Sequence, residues 1–153
     1  MLTLDVGCGD NPKGDVNCDI YREVNPQVLG VKSVAVNPKR ISNFVLASGL
    51  CLPFRSDCFD EVYSRGVIEH VDEPQRFLSE LIRVSKRIVR VLAPHRYGSK
   101  SRGTFHQAFL NVQWFSKVLK DYGHEIDCTY RRFPLFFLPD WISVSIYKFS
   151  GSG

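Results

Sequence analysis

Near its start the chain carries Leu4-Asp5-Val6-Gly7-Cys8-Gly9-Asp10-Asn11, and Asp19 followed by Ile20 closes the next short apolar run. These residues read as a strand, a glycine turn and a carboxylate at the end of a second strand. Glycine at positions 7 and 9 tolerates positive φ and lets backbone approach a ligand where a Cβ would clash. A carboxylate ending the second strand can accept from two ribose hydroxyls. The chemistry is that of a nucleoside-bearing ligand, with Asp5, Gly7, Cys8, Gly9, Asn11, Asp19 and Ile20 as candidate contacts. Asp5 and Asp10 have a second reading, in which they only order the turn. A P-loop would need Lys and then Ser or Thr after its second glycine, whereas Gly14 is followed by Asp15 and Val16. The dinucleotide fingerprint fails as well: its third glycine falls at Pro12, and Asp10 would repel a pyrophosphate.

A cationic nucleoside without phosphate suits the turn better, and S-adenosylmethionine (SAM) is one. Here the chain resembles the class I SAM-dependent methyltransferases, in particular a minimal single-domain member of the type 11 kind. The resemblance is carried by the glycine turn with its spaced acid, by Leu52-Pro53-Phe54, and by the stretch Phe59-Asp60-Glu61-Val62 to Glu69-His70-Val71. Arg83 to His95 adds a helix end, a strand and its following loop, so the matching blocks cover most of residues 2 to 124. The resemblance implies a Rossmann-like doubly wound α/β sheet, mostly parallel with an antiparallel C-terminal hairpin, and SAM as cofactor. It also implies methyl transfer, with Arg65 and Gly66 after the fourth strand as further cofactor contacts. Many relatives place Asp four residues before the LPF leucine to accept from the adenine amino group; this chain has Ser48, then Gly49 and Leu50. A hydroxyl accepts more weakly than a carboxylate. Either the adenine contact is weaker, or backbone at Gly49 and Leu50 supplies it.

A sulfonium methyl is already activated, so positioning and exclusion of water carry most of the rate and a base is optional. His70, His95 and His106 fall where an open α/β sheet binds ligands, near strand C-termini, and are the catalytic candidates. His95 could equally cap a loop, and His106 resembles a family position after a variable loop. Glu69, beside His70, is in the resembled family more often a structural hydrogen-bonding residue than a catalyst. His124 follows a helix stop and reads as a surface residue.

The elements that must place these groups alternate. Strands are expected at Thr3 to Val6, Val16 to Ile20, Phe44 to Ala47, from Phe59, and at Ile88 to Leu92. Between the first two, Pro12 and Gly14 occupy a segment too short for a full crossover helix. Residues 21 to 43 carry little pattern. A helix is expected from Asp72, with Asp72 as cap, Pro74 in the first turn and Phe77, Leu78, Leu81, Ile82 and Val84 inward, finished by Arg83, Lys86 and Arg87. A second runs from Val112 to Tyr122 with Asn111 as cap, Trp114, Phe115, Val118 and Leu119 inward, and Gly123 as stop. Ile126 to Phe133 and Ile142 to Ile146 read as a terminal hairpin.

With 153 residues, 44 % hydrophobic and 24 % charged, residues 1–149 are expected to form one domain and 150–153 a flexible tail. No separate substrate domain is expected within them. No apolar run reaches membrane-spanning length and no signal segment precedes the first strand, so a soluble, cytoplasmic protein is expected. Five cysteines without a C-x-x-C pair point to reduced thiols and to no metal site. The stretch Ser64-Arg65-Gly66 is unlike the Asn-Pro-Pro-Tyr of enzymes that methylate nucleobase amines, which favours a small-molecule acceptor. A basic loop, Arg96 to Arg102, on a chain of net charge +4, suits an anionic acceptor and leaves nucleic acid as the less favoured partner. The apolar run 133–141 is core, a homodimer surface or an apolar substrate wall. The reading is a SAM-dependent methyltransferase for a small or anionic acceptor. The alternatives are a non-catalytic SAM-fold binding or partner subunit, and an RNA methyltransferase.

Overall fold

The computed structural model describes residues 1–20, 38–95, 110–132 and 137–148. Seven strands make one sheet: β1 (Thr3–Val6), β2 (Val16–Asp19), β3 (Phe44–Leu46), β4 (Phe59–Arg65), β5 (Ser85–Pro94), β6 (Gly123–Arg132) and β7 (Phe137–Tyr147). Their order is β3-β2-β1-β4-β5-β7-β6. β1 to β5 are parallel, and β7 runs antiparallel between β5 and β6. The order reverses between β1 and β4, the switch point outside which open α/β sheets bind their ligands. The expected mostly parallel sheet with an antiparallel close is therefore present.

Alternation along the strands divides residues between two faces. Leu4, Val6, Cys18, Val62, Val89, Val91, Ile142, Val144 and Ile146 share one face and are buried. They cluster with Phe77, Leu78 and Leu81 of α1 (Pro74–Val84) and with Phe115, on α2 (Val112–Val118), and the adjoining Leu119. Both α-helices among the described residues thus cover the same face. The other face carries polar pairs: Arg90 Nε donates to Glu61 Oε1 at 2.8 Å, and the Tyr147 hydroxyl donates to Glu125 Oε2 at 2.8 Å. Among the described residues no helix is long and apolar enough to cross a membrane.

Residues 7–15 join β1 to the parallel β2 without a helix. A parallel pair ordinarily needs a crossover of about a dozen residues; here side chains of the strands satisfy the shorter loop. Lys13 N–H donates to Asp5 Oδ2 at 2.8 Å, and Gly14 exchanges bonds with the buried Asn17 side chain at 3.0 and 2.9 Å. Thr3 and Asp15 close the far end, with Thr3 N–H and Oγ1 each 2.8 Å from Asp15 Oδ2. The loop lies flat on the strands, since a Cβ on Gly14 would sit 2.4 Å from Val16 O and 2.6 Å from Asp5 N.

Three expectations are corrected. Asp72 does not cap α1: Pro74 takes the first helical position, which makes Glu73 the cap residue, and Glu73 makes no side-chain cap bond. Lys86 and Arg87 belong to β5, because Ser85 is already extended (φ −82°, ψ 141°) directly after Val84. α2 ends at Val118 rather than near Tyr122, although Asn111 caps it as expected, accepting from Trp114 N–H at 2.8 Å. The basic loop Arg96 to Arg102, His106 and residues 133–136 of the apolar run lie outside the described residues.

Candidate active site at the carboxyl edge of the sheet

The glycine turn folds over the end of β2. Cys18 O accepts from Gly7 N–H at 2.8 Å and Cys8 N–H at 3.1 Å, while Gly9 N–H donates to Asp19 Oδ2 at 3.0 Å. Gly7 and Gly9 have φ of 75° and 54°, values that L side chains rarely adopt. They differ in purpose. A Cβ on Gly7 would lie 2.2 Å from a Val67 methyl, so its bareness seats the turn after β4. Among the described residues a Cβ on Gly9 would meet nothing within 4 Å, so none of them crowds Gly9. Asn11, exposed, only continues the turn through its N–H to Cys8 O at 3.4 Å. Ile20, 58 % exposed, is an apolar side chain left open next to Asp19.

Asp5 is buried beneath this turn, and its carboxyl is pushed up to about 6, first by desolvation and further by neighbouring Asp19, against the Lys13 N–H bond that lowers it. Its bond to Lys13 makes it the residue that orders the loop. Burial pushes the Cys8 and Cys18 thiols up to about 12, so neither is a ready nucleophile at neutral pH.

The end of β3 joins this cluster through Ala47 N–H, which donates to Asp19 O at 3.0 Å. Ser48 then closes a tight turn: Leu50 N–H donates to Ser48 Oγ at 3.2 Å and Cys51 N–H to Ser48 O at 3.1 Å. The hydroxyl expected to face an adenine thus holds Leu50, and the Leu50 N–H is engaged within the turn. Gly49 is bare because a Cβ would lie 2.3 Å from the Phe77 ring of α1. A clamp that the sequence reading missed fixes the following LPF segment. Arg83 donates to Phe54 O at 2.8 Å and Leu52 O at 3.0 Å, and Glu80, its partner at 2.7 Å, accepts from Leu52 N–H at 2.8 Å. The i,i+3 acid and base on one helix were visible in sequence; their target was not.

Beyond β4, Gly66 has φ 67° and donates to Leu92 O at 2.8 Å. A 3-10 turn, Ile68–His70, follows. Glu69 is buried, its carboxyl pushed upward by desolvation, and its Oε2 has no hydrogen-bond partner among the described residues. His70 Nε2 is 3.9 Å from Glu69 Oε1, with the imidazole partly open to solvent. His95 follows β5 directly and is buried, its N–H donating to Asp140 O at 2.9 Å. Arg65 carries its guanidinium 5.5 Å from the Trp141 ring centroid, on the side of β4 away from β1.

Gly7, Cys8 and Gly9 are thus bonded to the end of β2 at Cys18 and Asp19, with Asp5 beneath the turn and Ser48 just beyond Ala47, and the turn after Gly66 packs on Gly7. His70 and His95 stand at the same edge, further along the sheet. Among the described residues, no group of His, Cys, Asp or Glu could hold a metal ion.

Residues 4–93 match the family described as "Methyltransferase domain". An uncharacterized methyltransferase of Mycobacterium leprae is 36 % identical over 90 residues, which are 56 % of this chain and 33 % of that protein. The human protein named "Probable tRNA methyltransferase 9B" is 34 % identical over 99 residues, 61 % of this chain and 19 % of its own length. The chain therefore spans a third or less of these relatives. Among solved structures, a SAM-dependent methyltransferase of Archaeoglobus fulgidus superposes with TM-score 0.73 at 13 % identity, over 95 % of this chain and 85 % of that one. With strand order, glycine turn and LPF segment all in place, the chain belongs to the methyltransferase domain family, in its class I, Rossmann-like form.

Proposed function

We propose that the chain binds SAM at the ends of β1, β2 and β3 and transfers its methyl group to a small or anionic acceptor held beyond β4 and β5. The observation that carries this reading is the Gly9 N–H bond to Asp19, at the carboxyl ends of β1 and β2 beside the switch point. It fixes a carboxylate beside a glycine that no described residue crowds, which is where a ribose would set its two hydroxyls. Ile20 offers an apolar wall for the adenine, next to the turn Ser48 to Leu50. Asp10, which disfavours a pyrophosphate, favours a sulfonium cation. When bound, SAM supplies an activated methyl; the chain orients the ribose, excludes water and places a proton acceptor. His70 and His95 remain the described candidates for that last role, and His106 a further one. A cytoplasmic setting suits the five free thiols.

Calorimetric titration tests the reading. SAM and its demethylated product S-adenosylhomocysteine should bind, whereas NAD and ATP should not; tighter binding of NAD than of SAM would overturn it. A second reading, methylation of RNA, is favoured by the likeness to proteins named tRNA methyltransferases. It requires RNA binding that weakens steeply with salt. A third, a SAM-binding subunit without turnover, is suggested by the helix-free first crossover and would bind SAM yet methylate no acceptor.

A further inference from the structure

Arg65 ends β4 and pairs with Leu92 on β5, which pairs with Ser143 on β7. Trp141, two residues before Ser143, shares this face of the sheet and pairs with Pro94, the last residue of β5. The contact between Arg65 and Trp141 therefore bridges β4 and β7 across the carboxyl end of β5, in the half of the carboxyl edge beyond β4. The neighbouring arginines differ in kind: Arg76, Arg83 and Arg90 each pair with a glutamate. No carboxylate of the described residues pairs with Arg65. Alternation puts Asp140 on the opposite face from Trp141. A cation held over an indole face loses side-chain freedom but keeps its charge and its edge N–H donors, which fit a carboxylate or phosphate in bidentate fashion.

We propose that Arg65, held by Trp141, recognises an oxyanion, carboxylate or phosphate, on the methyl acceptor, so that it serves the acceptor half of the site rather than the cofactor half. This rests on the SAM reading above and narrows its acceptor to a small molecule bearing such a group. The sequence after β5 and His95, which brings Arg96, Lys100 and Arg102, keeps the same sign of charge.

The chain has two tryptophans, so a Trp114→Phe background leaves Trp141 as the sole indole fluorophore beside Arg65. In that background, S-adenosylhomocysteine binding is measured first by calorimetry. Inorganic phosphate, benzoate and a short single-stranded RNA are then titrated against Trp141 fluorescence, with and without S-adenosylhomocysteine. The expected result is a saturable response to phosphate or benzoate that weakens about tenfold or more in Arg65→Gln and less in Arg65→Lys, with S-adenosylhomocysteine affinity unchanged in both. Whichever small anion binds more tightly identifies the oxyanion. Equal anion affinity in Arg65→Gln and the parent, or no saturable response to either small anion, would overturn the proposal while leaving the SAM reading intact. A response to RNA alone would overturn it in favour of a polynucleotide. Failure of S-adenosylhomocysteine to bind the parent would instead remove the SAM reading, and with it the assignment of Arg65 to an acceptor.

Discussion

Asp19 and Asp5 lie on the same face of neighbouring strands, yet their roles separate by what they touch. Asp19 is held by Gly9 N–H at the open edge, and Asp5 by Lys13 N–H beneath the loop. Asp19→Ala should cost about 1.5–3 kcal/mol in SAM affinity, the range for hydrogen bonds to a charged group, and Asp19→Glu less. Calorimetry showing unchanged affinity in Asp19→Ala would place the ribose elsewhere. Asp5 should instead show itself in stability. Its folded carboxyl titrates near 6, against an ordinary 3.8 when unfolded. Between those values the native group keeps a proton that the unfolded chain has released, so its contribution is greatest below pH 4 and is lost as pH rises through 6. The loss is about 3 kcal/mol in all. Asp5→Asn retains a carbonyl acceptor for Lys13 but carries no charge. Urea unfolding at pH 4 and pH 7 should show the variant gaining stability relative to the parent at the higher pH; a parent that gains instead would mean Asp5 is stabilised as its anion.

The elements that carry the site are short, and the loop 7–15 is the most exacting of them. Gly14→Ala would drive a Cβ into strand backbone at Val16 and Asp5, and should destabilise the fold by about 1–3 kcal/mol in a denaturation curve. A neutral effect would mean that the loop stands off the sheet. Much of this level was legible beforehand. Short apolar runs gave β1, β2 and β3 to within a residue, and Asn111 before an apolar face gave the cap of α2. Glycine and asparagine act locally, through φ and a short side chain, so their effects survive without tertiary context. What could not be read depended on partners distant in sequence. Asn17 bonds to both Gly14 O and Ser42 O, Arg83 reaches back to Leu52 and Phe54, and Trp141 finds Arg65 across β5. The glycines were read only in part: both were expected to admit a ligand, but Gly7 makes room for Val67, a contact no local pattern encodes. Lys86 and Arg87 look like a helix end because two cations suit its dipole. The chain turns extended one residue earlier, and both side chains stand exposed on β5.

At the scale of the whole molecule, both described helices lie on one face and the chemistry lies along one edge. The proposed cofactor residues gather at β1, β2 and β3, and Arg65, His70 and His95 at β4 and β5. With a net charge of only +4, strong binding to nucleic acid would have to come from a concentrated patch rather than from bulk attraction. Under the small-acceptor reading, single-stranded RNA should bind weakly and with a shallow salt dependence; a steep loss of tight binding between low and moderate salt would favour the RNA reading. The division of the edge can be observed directly, because a 17.5 kDa chain is well suited to amide chemical-shift mapping. Titrating S-adenosylhomocysteine into the isotope-labelled protein is the most direct measurement. The expected result is saturable shifts concentrated at Gly7 to Asn11, Asp19 and Ile20, and Ser48 to Leu50, with Glu61, Arg90 and Tyr147 on the polar face unmoved. No saturable shift, or shifts centred on that polar face, would contradict a SAM site at the carboxyl edge.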